Sequence, residues 1–64
     1  MFEFTEDEYK EICKKAMLNE EMCTIFKMLI EGHSRVEISM KLNISESTLQ
    51  RRIKKLKWKI MKCL

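Results

Sequence analysis

Apolar residues return at helical spacing along most of the chain. Tyr9, Ile12, Cys13, Ala16 and Met17 fall three and four residues apart, on one face of a helix. Thr5 and Glu8 stand in front of them as a capping box, in which the hydroxyl and the carboxylate each accept from an otherwise orphaned amide. The spacing and the box predict a helix over 6–17. Asn19 is a good N-cap for the next helix, and Glu20 and Glu21 suit the positive end of its dipole. The central stripe of that helix is Met22, Ile25, Phe26 and Leu29, flanked by Cys23 and Ile30. A stripe this wide predicts packing on both sides. Gly32 stands where a left-handed C′ residue is wanted, so the second helix covers 20–31. Ser34 and Glu37 repeat the capping box and open a short helix over 35–42, with Ile38 and Leu42 inward. Asn43 takes positive φ at low cost. Ile44 follows, read as buried, and Ser45 is a fresh N-cap. The last helix covers about 46–62, and Leu49, Ile53, Leu56 and Ile60 form its core stripe.

Composition narrows the architecture. The chain has 64 residues, one glycine and no proline, which disfavours an all-β domain with its many tight turns. An all-α domain of four helices fits. No stretch reaches the roughly 18 apolar residues of a membrane span. The start is acidic rather than basic, so no export signal is expected and the cytoplasm is the expected location. Cys13, Cys23 and Cys63 form no CxxC, and His33 is isolated. The thiols are read as small packed hydrophobes, with no metal and no cofactor. No paired carboxylates, metal set or activated nucleophile stands at a recognisable spacing, so an enzyme is not expected.

Charge changes the picture more. Residues 1–18 carry a net −2 and residues 19–44 a net −1. Residues 45–64 carry seven Lys and Arg against Glu46 alone, a net +6. One basic element on a neutral-to-acidic body is the layout of a module that meets a polyanion. A short helix, a tight turn and a longer basic helix make the helix-turn-helix arrangement. The two helices must cross closely, and Ser39 after Ile38 is small enough. At about 100° per residue, the face opposite Leu49 holds Ser47, Gln50, Arg51, Lys54 and Lys55. These side chains suit phosphates and base edges. Trp58 lies opposite Leu49 and Met61 to one side, so neither reaches the core of a straight helix.

The ordered set of residues resembles a known family. It runs from Leu18-Asn19 through Met22, Ile25-Phe26, Met28-Leu29 and Gly32 to Ser34, Glu37-Ile38-Ser39 and Leu42. It continues through Ile44-Ser45, Thr48-Leu49, Ile53, Leu56 and Lys59-Ile60. Over 18–60, without a gap, this is similar to the LuxR/GerE-type DNA-binding domain. The three-helix core is also similar to region four of sigma factors. Low Ala and Gly with abundant Lys, Ile and Met fits a bacterial, phage or mobile-element genome rich in AT. The resemblance implies that Gln50, Arg51 and Lys54 face the major groove, while Ser45 and Thr48 meet phosphates. It divides the chain into an N-terminal amphipathic helix, 1–18, packed on a helix-turn-helix core, 19–64. Met22 departs from the family's usual Glu, Ser39 from Ala and Arg52 from a frequent His. The family's fourth helix, commonly used to dimerise, has no counterpart in the pattern. The expected function is sequence-specific binding of double-stranded DNA in transcriptional regulation. The alternative is a sigma-like module whose partner is RNA polymerase or another regulator. A membrane-surface role is disfavoured because the apolar residues of the last helix are needed for the core. A weak homodimer is expected, with Trp58, Met61 and Leu64 at its seam.

Overall fold

The computed structural model describes residues 3–63. The chain forms α1 (Glu6–Lys15), α2 (Glu20–Ile30), α3 (Arg35–Leu42) and α4 (Glu46–Cys63), with no strand among the described residues. This is the all-α, four-helix architecture that the apolar spacing predicts. Leu64 lies outside the described residues.

Polar side chains start each helix. Thr5 Oγ1 accepts from the Glu8 amide at 3.2 Å, and Glu8 Oε1 accepts from the Thr5 amide at 2.8 Å. Ser34 and Glu37 repeat the box at 3.2 and 2.9 Å. Asn19 Oδ1 accepts from the Met22 amide at 2.8 Å, and Ser45 Oγ accepts from the Thr48 amide at 3.2 Å.

The first three helices also end alike. Leu18, His33 and Ile44 donate their amides to the carbonyls of Cys13, Met28 and Ser39. Met17, Gly32 and Asn43, one residue earlier, take positive φ and donate to Lys14, Leu29 and Met40. This paired closure is the Schellman motif. Glycine and asparagine are at home there, whereas Met17 is not. The expected helix over 6–17 therefore ends two residues early. Met17 leaves the apolar face and is 83% exposed.

Ile25, Phe26, Ile38, Leu49 and Leu56 are fully shielded from solvent. The Phe26 ring meets Phe4 edge-on at 5.4 Å and Tyr9 tilted at 5.2 Å. Ile12 adds a buried contribution from α1, which packs on both α2 and α4. On α2 the buried arc is wider than its expected centre. Met28 is buried and Leu29 only half-buried, because α2 is covered on more than one side. Leu42 and Ile44 are likewise half-buried at the rim of the core.

Candidate nucleic-acid interface

The turn between α3 and α4 is built locally. Asn43, at φ 56° and ψ 45°, bends the chain out of α3. Ser45 then caps α4. Ser39 is buried and returns its hydroxyl to the Val36 carbonyl at 2.8 Å, so its polar atom is satisfied within its own helix. A small side chain there leaves room for α3 to pack against α4.

Leu49, Ile53, Leu56 and Ile60 turn α4 inward and are buried. The opposite face is thereby presented to solvent. Ser47, Gln50, Arg51, Lys54 and Lys55 are all exposed on it. Ser45 is exposed at the head of the helix, and Thr48 is half-buried on its flank. The Ser45 hydroxyl donates to Thr48 Oγ1 at 2.8 Å and lies 3.3 Å from Ser47 Oγ. A tight knot of three hydroxyls therefore sits at the positive end of the α4 dipole. About three turns further on, Trp58 and Met61 are exposed, and the Lys62 ammonium lies 4.5 Å from the centre of the Trp58 ring. Helix α1 does not cover Trp58.

Arg52 does something the apolar pattern does not reveal. It donates from Nη1 to Glu21 Oε1, tying α4 to the first turn of α2. Its one sequence signal is its departure from the usual His of the resembled pattern. His33, isolated in the sequence pattern, places Nε2 3.6 Å from Glu31 and Nδ1 3.8 Å from Glu37. The Glu37 carboxyl is held below its ordinary value, first by the Ser34 amide and then by the Ser34 hydroxyl, with His33 helping. Among the described residues, no three of the His, Cys, Asp and Glu side chains gather as a metal site.

Residues 16–62 match the family model of the LuxR family of bacterial regulatory proteins, GerE. The chain belongs to the LuxR family. Its helix-turn-helix is α3, the 43–45 turn and α4, and membership supports DNA binding and a role in transcription regulation. Helix α1 lies wholly ahead of the matched residues. No curated protein and no solved structure gives a significant match to the chain. No described helix is long and apolar enough to cross a membrane.

Proposed function

We propose that this LuxR-family chain binds double-stranded DNA sequence-specifically and regulates transcription in the cytoplasm, with α4 as the recognition helix. The observation that carries the reading is the division of α4. Its buried stripe leaves a continuous exposed face of Ser47, Gln50, Arg51, Lys54 and Lys55, in the part of the helix that a helix-turn-helix presents to base edges. The planar Gln50 amide can donate to adenine N7 and accept from its N6 amine, and the Arg51 guanidinium can donate twice to guanine O6 and N7. Lys54 at the next turn reaches bases or the adjoining phosphate, and Lys55 on the flank meets phosphate. Thr48 is the better phosphate donor of the hydroxyl knot, because the Ser45 proton is already given to Thr48 Oγ1.

In this reading residues 1–18 are a segment added to the core, carrying α1, and residues 19–64 are the reading head. One reading head has a short footprint, so pairing strengthens binding. Exposed Trp58 and Met61 support a weak homodimer joined through the far end of α4.

The test is selection of bound duplexes from a randomised library, followed by titration of the selected site in rising salt. The expected result is an enriched motif with steep salt dependence, about −0.9 in log–log slope for each phosphate neutralised. Failure to enrich any duplex would instead favour the protein-interaction alternative, with RNA polymerase as the partner to test.

A further inference from the structure

The two cysteines of the α1–α2 junction face one another. Cys13 on α1 and Cys23 on α2 place their sulfurs 3.2 Å apart, with the Cys23 thiol donating toward Cys13. That is about 1.2 Å longer than a covalent S–S bond. Both residues are half-buried and reduced. The junction is braced beside them, because the Tyr9 hydroxyl donates to the Cys23 carbonyl at 3.1 Å. Cys63 belongs elsewhere, in a groove with Phe4, Glu8, Glu11, Ile12 and Lys15. Packing of two small hydrophobes does not require sulfur to meet sulfur across two helices. Disulfides of reducing compartments are characteristically transient and redox-sensing.

We propose that Cys13 and Cys23 form a reversible dithiol–disulfide couple, oxidised by hydrogen peroxide, that locks α1 onto α2. The Cys13 thiolate attacks one peroxide oxygen. The O–O bond breaks, a sulfenic acid forms on Cys13, and the departing hydroxide leaves as water with the proton that Cys13 released. Cys23 then attacks the sulfenic sulfur. The S–S bond forms, the S–O bond breaks, and the Cys23 proton leaves with that hydroxide as a second water. Two thiols and one peroxide become one disulfide and two waters, with sulfur oxidised and peroxide oxygen reduced. Thiol–disulfide exchange with a cellular dithiol restores the pair. Burial, and then its hydrogen bond to Cys13, push the Cys23 thiol up to about 11. The Cys23 thiol donates toward the Cys13 sulfur, so Cys13 is the acceptor that attacks peroxide first and Cys23 is the resolving thiol.

The test treats the purified full chain with hydrogen peroxide, blocks remaining thiols by alkylation and maps tryptic peptides. Lys14 and Lys15 lie between the two cysteines, so a linked pair of peptides, 11–14 with 16–27, reports the bond directly. The oxidised protein is expected to melt about 10 °C or more above the reduced one, because a ten-residue loop is closed in the unfolded chain. Dithiothreitol should reverse the shift. Cys63→Ser should preserve the link and the shift, whereas Cys13→Ser and Cys23→Ser should each lose both. Linkage through Cys63, oxidation of separate thiols without a link, or a link that leaves Tm unchanged would each overturn the proposal.

Discussion

Arg52 on α4 and Glu21 on α2 form an ion pair across 31 positions of sequence, clamping α4 to the helix behind it. Their side chains are 43% and 32% exposed, so solvent screens the pair without abolishing it. A double-mutant cycle of Arg52→Ala and Glu21→Ala should give a coupling of about 0.2–1 kcal/mol by chemical denaturation. With its guanidinium engaged by Glu21, Arg52 is not expected to contact DNA. Arg52→Ala should leave the salt slope of duplex binding nearly unchanged. A slope reduced by about one unit would instead place Arg52 on a phosphate.

Arg51, the next residue back, should behave differently. It is exposed on the outward face, where a bidentate contact to guanine is open to it. Arg51→Ala should cost about 1–3 kcal/mol on the preferred site and little on unrelated duplex, narrowing the gap between them. Lys55→Ala should weaken both duplexes alike and flatten the salt slope by about one unit. Anisotropy titrations of the two variants on both duplexes separate base reading from phosphate binding.

The helices and the inward face of α4 were legible because both follow from short-range rules. Capping boxes at Thr5 and Ser34 act over three residues, and Leu49, Ile53, Leu56 and Ile60 repeat at helical steps. Once the inward face is known, the outward set from Ser47 to Lys55 follows by rotation. What was not legible depends on how helices lie against each other. The wide stripe of α2 announced packing on two sides, but not that Met28 would be buried and Leu29 only half-buried. The Glu21–Arg52 pair and the Cys13–Cys23 contact each join different helices, and no residue spacing announces either.

Met17 was misplaced for a different reason. Its apolar side chain continues the α1 stripe, yet the backbone closes the helix first and holds Met17 at φ 51°. A left-handed conformation costs an ordinary L residue roughly 1–2 kcal/mol, and the 83% exposed side chain gives little packing in return. Met17→Gly should therefore stabilise the domain by about 0.5–1 kcal/mol, despite the greater backbone freedom of glycine when unfolded. Gly32→Ala is the opposite experiment. The Gly32 φ is +89° and an added Cβ meets nothing within 4 Å, so the expected loss is conformational alone. Thermal melts should move up for the first variant and down for the second.

Acid should loosen the start of α3. The Ser34 amide, followed by its hydroxyl, holds the Glu37 carboxyl below its ordinary value. A carboxyl depressed by folding contributes stability above its unfolded pKa of about 4.3, and that contribution is lost as pH falls through the folded value. NMR titration of the Glu37 side chain should give a midpoint below about 4.3, and Ser34→Ala should raise it toward that value. Glu37→Gln keeps a reciprocal cap without a titrating group. In that variant, hydrogen exchange in the first turn of α3 should lose its acid dependence through this range. Retention of the full dependence would assign it to another carboxyl.

The far end of α4 sets the expected assembly. Trp58 is 58% exposed and Met61 is 73% exposed, on a helix whose other large apolar residues are buried. Trp58 stands seven residues past Arg51, about 10 Å along the helix, beyond the turns that read bases. A symmetric contact between two copies through this end would cover both side chains and leave both reading faces free. It would set the two recognition helices about one DNA turn, roughly 34 Å, apart. Lys57, Lys59 and Lys62 crowd the same end, so like charges oppose the contact in the absence of DNA. The Lys62 ammonium already shields one Trp58 face by a cation–π contact at 4.5 Å. The free protein should therefore be largely monomeric at micromolar concentration and pair on a palindromic site, where phosphates neutralise the lysines. Light scattering should show two chains per duplex for the wild type. Trp58→Ala should bind a half-site as before but lose cooperative occupancy of the full palindrome, by about tenfold or more in apparent affinity. One chain per duplex in the wild type, with the Trp58→Ala variant unchanged, would assign the exposed tryptophan to some purpose other than self-association.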